Sequence, residues 1–123
     1  MLESTIAGSL PKPDWLAEPE KLWAPWRFEG EALTRAQERA AAEWIKHQED
    51  AGVDIVTNGE QFRIHFVHGF LEQINGIDWE KKTAMGIRDN RYTVQVPTVT
   101  GPVSRAKSVH LEEVRFSRAQ TDR

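Results

Sequence analysis

Residues 51–66, AGVDIVTNGEQFRIHF, contain the segment that decides the fold. Val53–Val56 is a short apolar run typical of a buried strand, and Asn58-Gly59 ends it in a turn. Glu60 follows at once, at the head of a second amphipathic segment. A carboxylate in this place either favours a helix N-terminus or binds a ligand at the end of the strand.

The residues before this strand predict a long amphipathic helix. Thr34 and Gln37 have the spacing of a capping box, and Gly52 is suited to a left-handed C-cap. Its apolar stripe consists of Ala36, Ala40, Ala41, Trp44 and Ile45. Small alanines on the buried face favour close packing of this helix against a sheet.

Residues 4–10, STIAGSL, predict an earlier strand, which must end before Pro11 because proline cannot donate to a sheet. After the Glu60 turn we expect a helix from about Gln61 to Gln73, ended by Asn75-Gly76. The resulting βαβα order predicts parallel strands joined by a right-handed crossover.

The rest of the chain has a different pattern. Residues 14–32 predict an irregular arm whose three tryptophans pack on a neighbour: Trp15, Trp23 and Trp26. Residues 88–105 predict a half-exposed two-stranded ribbon, with its turn at Arg88-Asp89-Asn90 and with Pro97 marking an edge. A last helix is expected to open at Ser108.

Two parallel strands do not close a sheet, so these elements predict the opening part of a larger α/β fold. The open strand edges predict self-association or pairing with a missing C-terminal part.

Composition sets limits on the function. The 123 residues carry a formal net charge of −3 and no cysteine. The charge gives no support for a nucleic-acid partner, and the absence of cysteine excludes thiolate chemistry from these residues. No apolar run is long enough to span a membrane and no signal peptide is evident, so we expect a cytoplasmic protein.

Ser9 and Glu60 both follow predicted parallel strands, where ligands commonly bind in α/β folds. A Gly-Ser turn offers amides and a hydroxyl to a carboxylate, and a glutamate opposite suits an ammonium group. Together they suggest a site for the charged end of an amino acid. The alternative is that Ser9 only shapes a turn and Glu60 only favours a helix terminus.

Other polar residues give weaker signals. His65 and His68 share a helix face, but no third metal ligand is obvious, and the helix has apolar residues to pack. Arg63, one turn from Glu60, either orients the acid or is a solvated charge.

Three blocks, STIAGSLPKP, HQEDAGVDIVTNGEQFR and VPTVTGPVSR, followed by FSRAQTDR, resemble the catalytic domain of the cobalamin-independent methionine synthase family, particularly its single-barrel homologues. The resemblance implies that residues 1–123 are the N-terminal portion of a partial TIM (β/α)8 barrel. This portion would hold the first two βα units, a β-ribbon and a further helix. A complete barrel needs about 250 residues.

The family moves a methyl group from a methyl-folate to the thiol of homocysteine, with zinc activating the thiolate. The resemblance implies that Ser9 and Glu60 are substrate-binding residues for the amino-acid part of homocysteine. The family's zinc ligands lie later in the barrel, so zinc is expected in the complete barrel and none is expected on this chain. No catalytic residue is expected here, and the chain alone would be inactive.

Two alternatives stay open. One is a non-catalytic oligomeric or small-molecule-binding module derived from the barrel. The other is a related thiol alkyltransferase with another acceptor, and Asn58 stands where many relatives have an acid or a histidine. An acceptor without an amino group would have no use for Glu60.

Overall fold

The structure is a computed structural model that describes residues 2–19 and 24–123, with only the backbone of Phe66. Trp23 and its expected packing lie outside these residues. The chain divides into two compact units. One comprises the described residues of Met1–Gly69 with His110–Arg123, and the other is Phe70–Val109. None of the helices in the described part could cross a membrane.

The first unit is built around α1, Gly30–Asp50. Its buried face consists of Ala36, Ala40, Ala41, Ile45 and Gln48. The predicted stripe is confirmed except at Trp44, which is half-buried, and the polar Gln48 was not predicted. Leu16 is fully buried against this face, and Trp15 and Trp26 pack beside it, so the arm does pack on the helix.

The predicted end of α1 is confirmed and its predicted start is wrong. Gly52 has φ +78°, and the Gly52 and Val53 amides donate to Glu49 and Gln48, as in a Schellman motif. The helix begins four residues before Thr34, at Gly30. Thr34 is therefore no cap, and its hydroxyl donates to the Gly30 carbonyl within the helix.

The two predicted parallel strands lie side by side, but they pair through an isolated bridge between Thr5 and Ile55. The Ile55 amide donates to the Ser4 carbonyl at 3.0 Å, and the Leu10 amide donates to the Gly59 carbonyl at 3.0 Å. Parallel strand pairs are slightly less stable than antiparallel pairs and normally lie inside larger sheets. This explains why the two segments share a single bridge and do not form an extended ladder among the described residues.

The predicted helix from Gln61 to Gln73 is wrong in its extent. Turns occupy residues 59–62, and α2 covers Phe66–Leu71 alone. Glu60 has φ +58°, which a right-handed helix cannot include. Gly76 does not end a helix either, because it lies inside a strand.

The second unit is a long antiparallel hairpin. Strand β1, Ile74–Ile87, pairs with β2, Tyr92–Arg105, and Arg88, Asp89 and Asn90 form the turn with positive φ. The predicted turn at residues 88–90 is confirmed, but the bounds of the predicted ribbon are wrong. Residues after the turn form one strand, β2, and its partner β1 precedes the turn and was missed. In the first unit, α3, Leu111–Gln120, follows and packs on α1; it starts after His110 and not at Ser108. The described residues thus form an α/β fold whose sheet is two-stranded and antiparallel.

Candidate functional site

Ser9 and Glu60 are in direct contact. The Ser9 hydroxyl donates a short hydrogen bond to Oε2 of Glu60. The backbone holds the two residues together, since the Leu10 amide donates to the Gly59 carbonyl. The structure therefore brings together the two residues that the sequence placed at one crevice. The Leu10 amide is thus used in the backbone contact between the two segments.

The turn that carries Glu60 has an unusual backbone. Gly59 and Glu60 both have left-handed conformations, with φ of +62° and +58°. A side chain at Gly59 would place its Cβ 2.8 Å from Cβ of Leu10, so only glycine allows this close approach. Glu60 has no such freedom, and its conformation costs about 1 kcal/mol or more. The Asn58 side chain offsets part of this cost, because its Oδ1 accepts a hydrogen bond from the Glu60 amide at 2.9 Å.

Gln61 links the segment that contains Leu10 to the turn that contains Gly59. It is fully buried, and its Nε2 donates to the carbonyls of Leu10 at 3.0 Å and Gly59 at 3.1 Å. Its Oε1 has no partner among the described residues. The sequence reasoning missed this role, although a glutamine directly after the Gly-Glu turn was the available signal.

Gln48 joins α1 to the residue that precedes the turn. Its carboxamide donates to the Thr57 carbonyl at 2.7 Å and accepts the Thr57 amide at 3.0 Å. The Gln48 side chain thus bonds to the amide and the carbonyl of Thr57, as the backbone of a neighbouring strand would do. The turn is therefore placed by the helix as well as by the first segment.

Two cations lie near Glu60. Nη1 of Arg63 is 4.0 Å from Oε1 of Glu60, and the Arg63 side chain is only 17% exposed. Arg63 is therefore not a solvated charge, and it lies close enough to act on the Glu60 carboxylate. Burial lowers the pKa of Lys12, while the negative charge of Glu60 acts in the opposite direction.

The prediction that His65 and His68 share a helix face is wrong, because α2 begins after His65 and contains only His68. The rings of His65 and His68 have centroids 5.0 Å apart. Burial lowers the pKa of His65, and the charge of His68 adds to this effect. Across residues 2–19 and 24–123, no three His, Cys, Asp or Glu side chains are grouped so that they could hold a metal ion.

Known proteins that are similar to this chain are cobalamin-independent synthases. The family model described as "Cobalamin-independent synthase, Catalytic domain" matches residues 2–123. The chain is 52% identical to a B12-independent methionine synthase from Shewanella sp. W3-18-1, solved in complex with selenomethionine. The TM-score of that match is 0.89 over 98% of this chain.

Two curated proteins show the same relationship. A methionine synthase of Sulfolobus acidocaldarius is 29% identical over 97% of this chain. A 5-methyltetrahydropteroyltriglutamate–homocysteine methyltransferase of Bacillus mycoides is 26% identical over the whole chain. The chain spans 35% of the Shewanella protein, 34% of the Sulfolobus protein and 16% of the Bacillus protein.

Proposed function

The chain belongs to the catalytic-domain family of cobalamin-independent synthase, and we propose that it forms the N-terminal part of a methionine synthase-like methyltransferase barrel. In the complete barrel the methyl group would pass from a methyl-folate to the thiol of homocysteine. The contribution of this chain is part of the amino-acid pocket, with Ser9 and Glu60 as its substrate-binding residues.

The contact between Ser9 and Glu60 is the observation that carries the proposal. Homocysteine and methionine share an ammonium and a carboxylate group on one carbon. Glu60 accepts hydrogen bonds from the ammonium, and the Ser9 hydroxyl turns from Glu60 to donate to the carboxylate. The hydrogen bond between the two side chains supports the proposal because they lie close enough together to serve one ligand. The Shewanella relative is described in complex with selenomethionine, an amino acid with the same two groups.

The strained backbone gives independent support. A glutamate with φ +58° persists only where surrounding contacts hold it, and such residues cluster at functional sites. A glutamate that merely favoured a helix N-terminus would need no such conformation. It would also precede a helix directly, whereas α2 begins six residues later.

The remaining chemistry belongs outside these residues. Zinc is expected in the complete barrel, where it would activate the thiol, and the methyl-folate would also be bound there. The exposed side chain of Ile55, at the parallel bridge, suits packing against the rest of the barrel, since parallel strands are normally covered on both faces. Self-association through the open strand edge at this bridge is the alternative.

A chimera tests this proposal. This chain would replace the matching part of the Shewanella relative, and methyl transfer to homocysteine would be measured. We expect activity, and we expect Glu60→Gln to raise KM for homocysteine by about ten- to a hundredfold, since hydrogen bonds to charged groups contribute about 1.5–3 kcal/mol. Glu31→Gln, at an exposed residue of α1, serves as the control.

A folded chimera with no loss of activity on Glu60→Gln would refute the assignment of Glu60. A chimera that prefers a thiol without an amino group would instead favour the alkyltransferase with another acceptor.

A further inference from the structure

We propose that Glu113, on α3, is a positioning residue for Glu60: it holds Arg63 and Asn58 so that the Glu60 carboxylate stays available to an ammonium group. The inference rests on the proposed function and extends it to a residue that lies 53 positions after Glu60. Both residues lie in the first compact unit.

The first connection between Glu113 and Glu60 passes through Arg63. The guanidinium is shared, with Nη2 3.4 Å from Oε2 of Glu113 and Nη1 4.0 Å from Oε1 of Glu60. Arg63 is thus closer to Glu113 than to Glu60. Because an ion pair strengthens as its charges approach, Glu113 draws Arg63 away from a tight pair with Glu60. A tight pair would occupy the Glu60 oxygen that the ligand's ammonium needs.

The second connection passes through Asn58. The Glu60 amide can only donate, and it donates to Oδ1 of Asn58 at 2.9 Å. This bond orients the Asn58 carboxamide, so that Nδ2 points to Oε2 of Glu113 at 3.5 Å. Glu113 is therefore connected to the side chain of Glu60 through Arg63 and to the backbone of Glu60 through Asn58.

Burial makes this arrangement specific. The side chains of Arg63 and Glu113 are 17% and 15% exposed, so neither charge is well solvated without the other. The stem of Arg63 packs so closely on Gly69 that a side chain there would collide with it. Nε of Arg63 is buried without a partner among the described residues, so the two Nη atoms make its contacts with the carboxylates.

Glu113 is itself held from α3. Its second oxygen, Oε1, is 3.2 Å from Nδ1 of His110. Phe116, one turn further along the helix, packs edge-on against Phe62 at 5.7 Å, which fastens α3 to the turn. The neighbouring Glu112 points elsewhere: its side chain is 82% exposed and pairs with Arg115 at 2.9 Å. Glu112 is therefore a matched control on the same helix.

The test uses calorimetric titration of the full chain with L-methionine and with the methionine analogue that lacks the amino group. Glu113→Gln should weaken L-methionine binding about three- to tenfold and leave binding of the analogue unchanged, because only the ammonium uses Glu60. Glu112→Gln should change neither affinity. Adding Arg63→Gln to Glu113→Gln should recover part of the loss, because the competing cation is gone.

The outcomes separate the two proposals. Equal loss for both ligands, or no loss for either, would overturn the positioning role of Glu113. If the unaltered chain binds L-methionine no better than the analogue, the proposed function fails instead. Amide hydrogen exchange at Glu60 then decides the positioning role. Faster exchange in Glu113→Gln than in Glu112→Gln supports it, and equal exchange overturns it. If Glu113→Gln does not fold, Arg63→Lys takes its place in both measurements. Lysine lacks the planar guanidinium of arginine and so cannot bridge the carboxylates of Glu60 and Glu113.

Discussion

Replacing Gln48 by leucine removes the polar link between α1 and Thr57 while keeping the size of the side chain. The Thr57 amide and carbonyl lose partners at 3.0 and 2.7 Å. Each buried group left without a partner costs about 1–3 kcal/mol, so the two together cost about 2–6 kcal/mol. Burying leucine in place of the carboxamide returns about 1.5–3 kcal/mol. Taking the middle of each range, we expect Gln48→Leu to lower the free energy of unfolding by about 2 kcal/mol.

The loss would be large beside a total stability of about 6–18 kcal/mol for a chain of this length. Urea denaturation followed by tryptophan fluorescence measures it. Gln120→Leu is the matched control, because Gln120 is an exposed residue at the end of α3. We expect that control to stay within about 0.5 kcal/mol of the unaltered chain. A Gln48→Leu chain as stable as the control would refute the claim that Gln48 takes the place of a neighbouring strand.

Two further predictions concern the same unit. Gly59→Ala should destabilise the chain by about 1 kcal/mol more than Gly52→Ala, because both have positive φ but only the new Cβ at Gly59 meets Leu10. Denaturation of the two variants measures this difference, and equal losses would contradict it. Hydrogen bonds from the backbone amide and then the hydroxyl of Ser4 lower the pKa of Asp54. The stability this adds is present above the unfolded pKa of about 3.9 and is lost as pH falls through the lower folded pKa. Asp54→Asn should therefore shrink the difference in urea midpoint between about pH 6 and about pH 3; an unchanged difference would contradict the assignment.

The sequence predicted the features that depend on local pattern. The face of α1 follows from its apolar spacing, and the end at Gly52 follows from the one residue type that suits a left-handed cap. The contact between Ser9 and Glu60 was predictable because both residues follow segments that run parallel. The turn at residues 88–90 was predictable from its residue types.

The missed features depend on contacts between distant residues. The residues of β1 include a polar run around Lys82 without alternation, and the ladder to β2 shifts register between Asp78 and Lys82, so the sequence pattern did not indicate this strand. The helix expected after Glu60 is shortened because residues 59–62 form turns, in which the Gln61 side chain bonds to the carbonyls of Leu10 and Gly59. Glu113 joins the site only because α3 packs in the same unit, and Gln61 only because two backbone carbonyls surround it.

The most direct test of the central claim is a titration of the isotope-labelled chain with L-methionine, followed by the backbone amide signals. We predict that the shift changes concentrate at residues 8–10 and 58–60, and that both Ser9→Ala and Glu60→Gln weaken them. Saturable changes confined to other residues, or equal changes with the analogue that lacks the amino group, would contradict the claim that Ser9 and Glu60 bind the two charged groups of an amino acid.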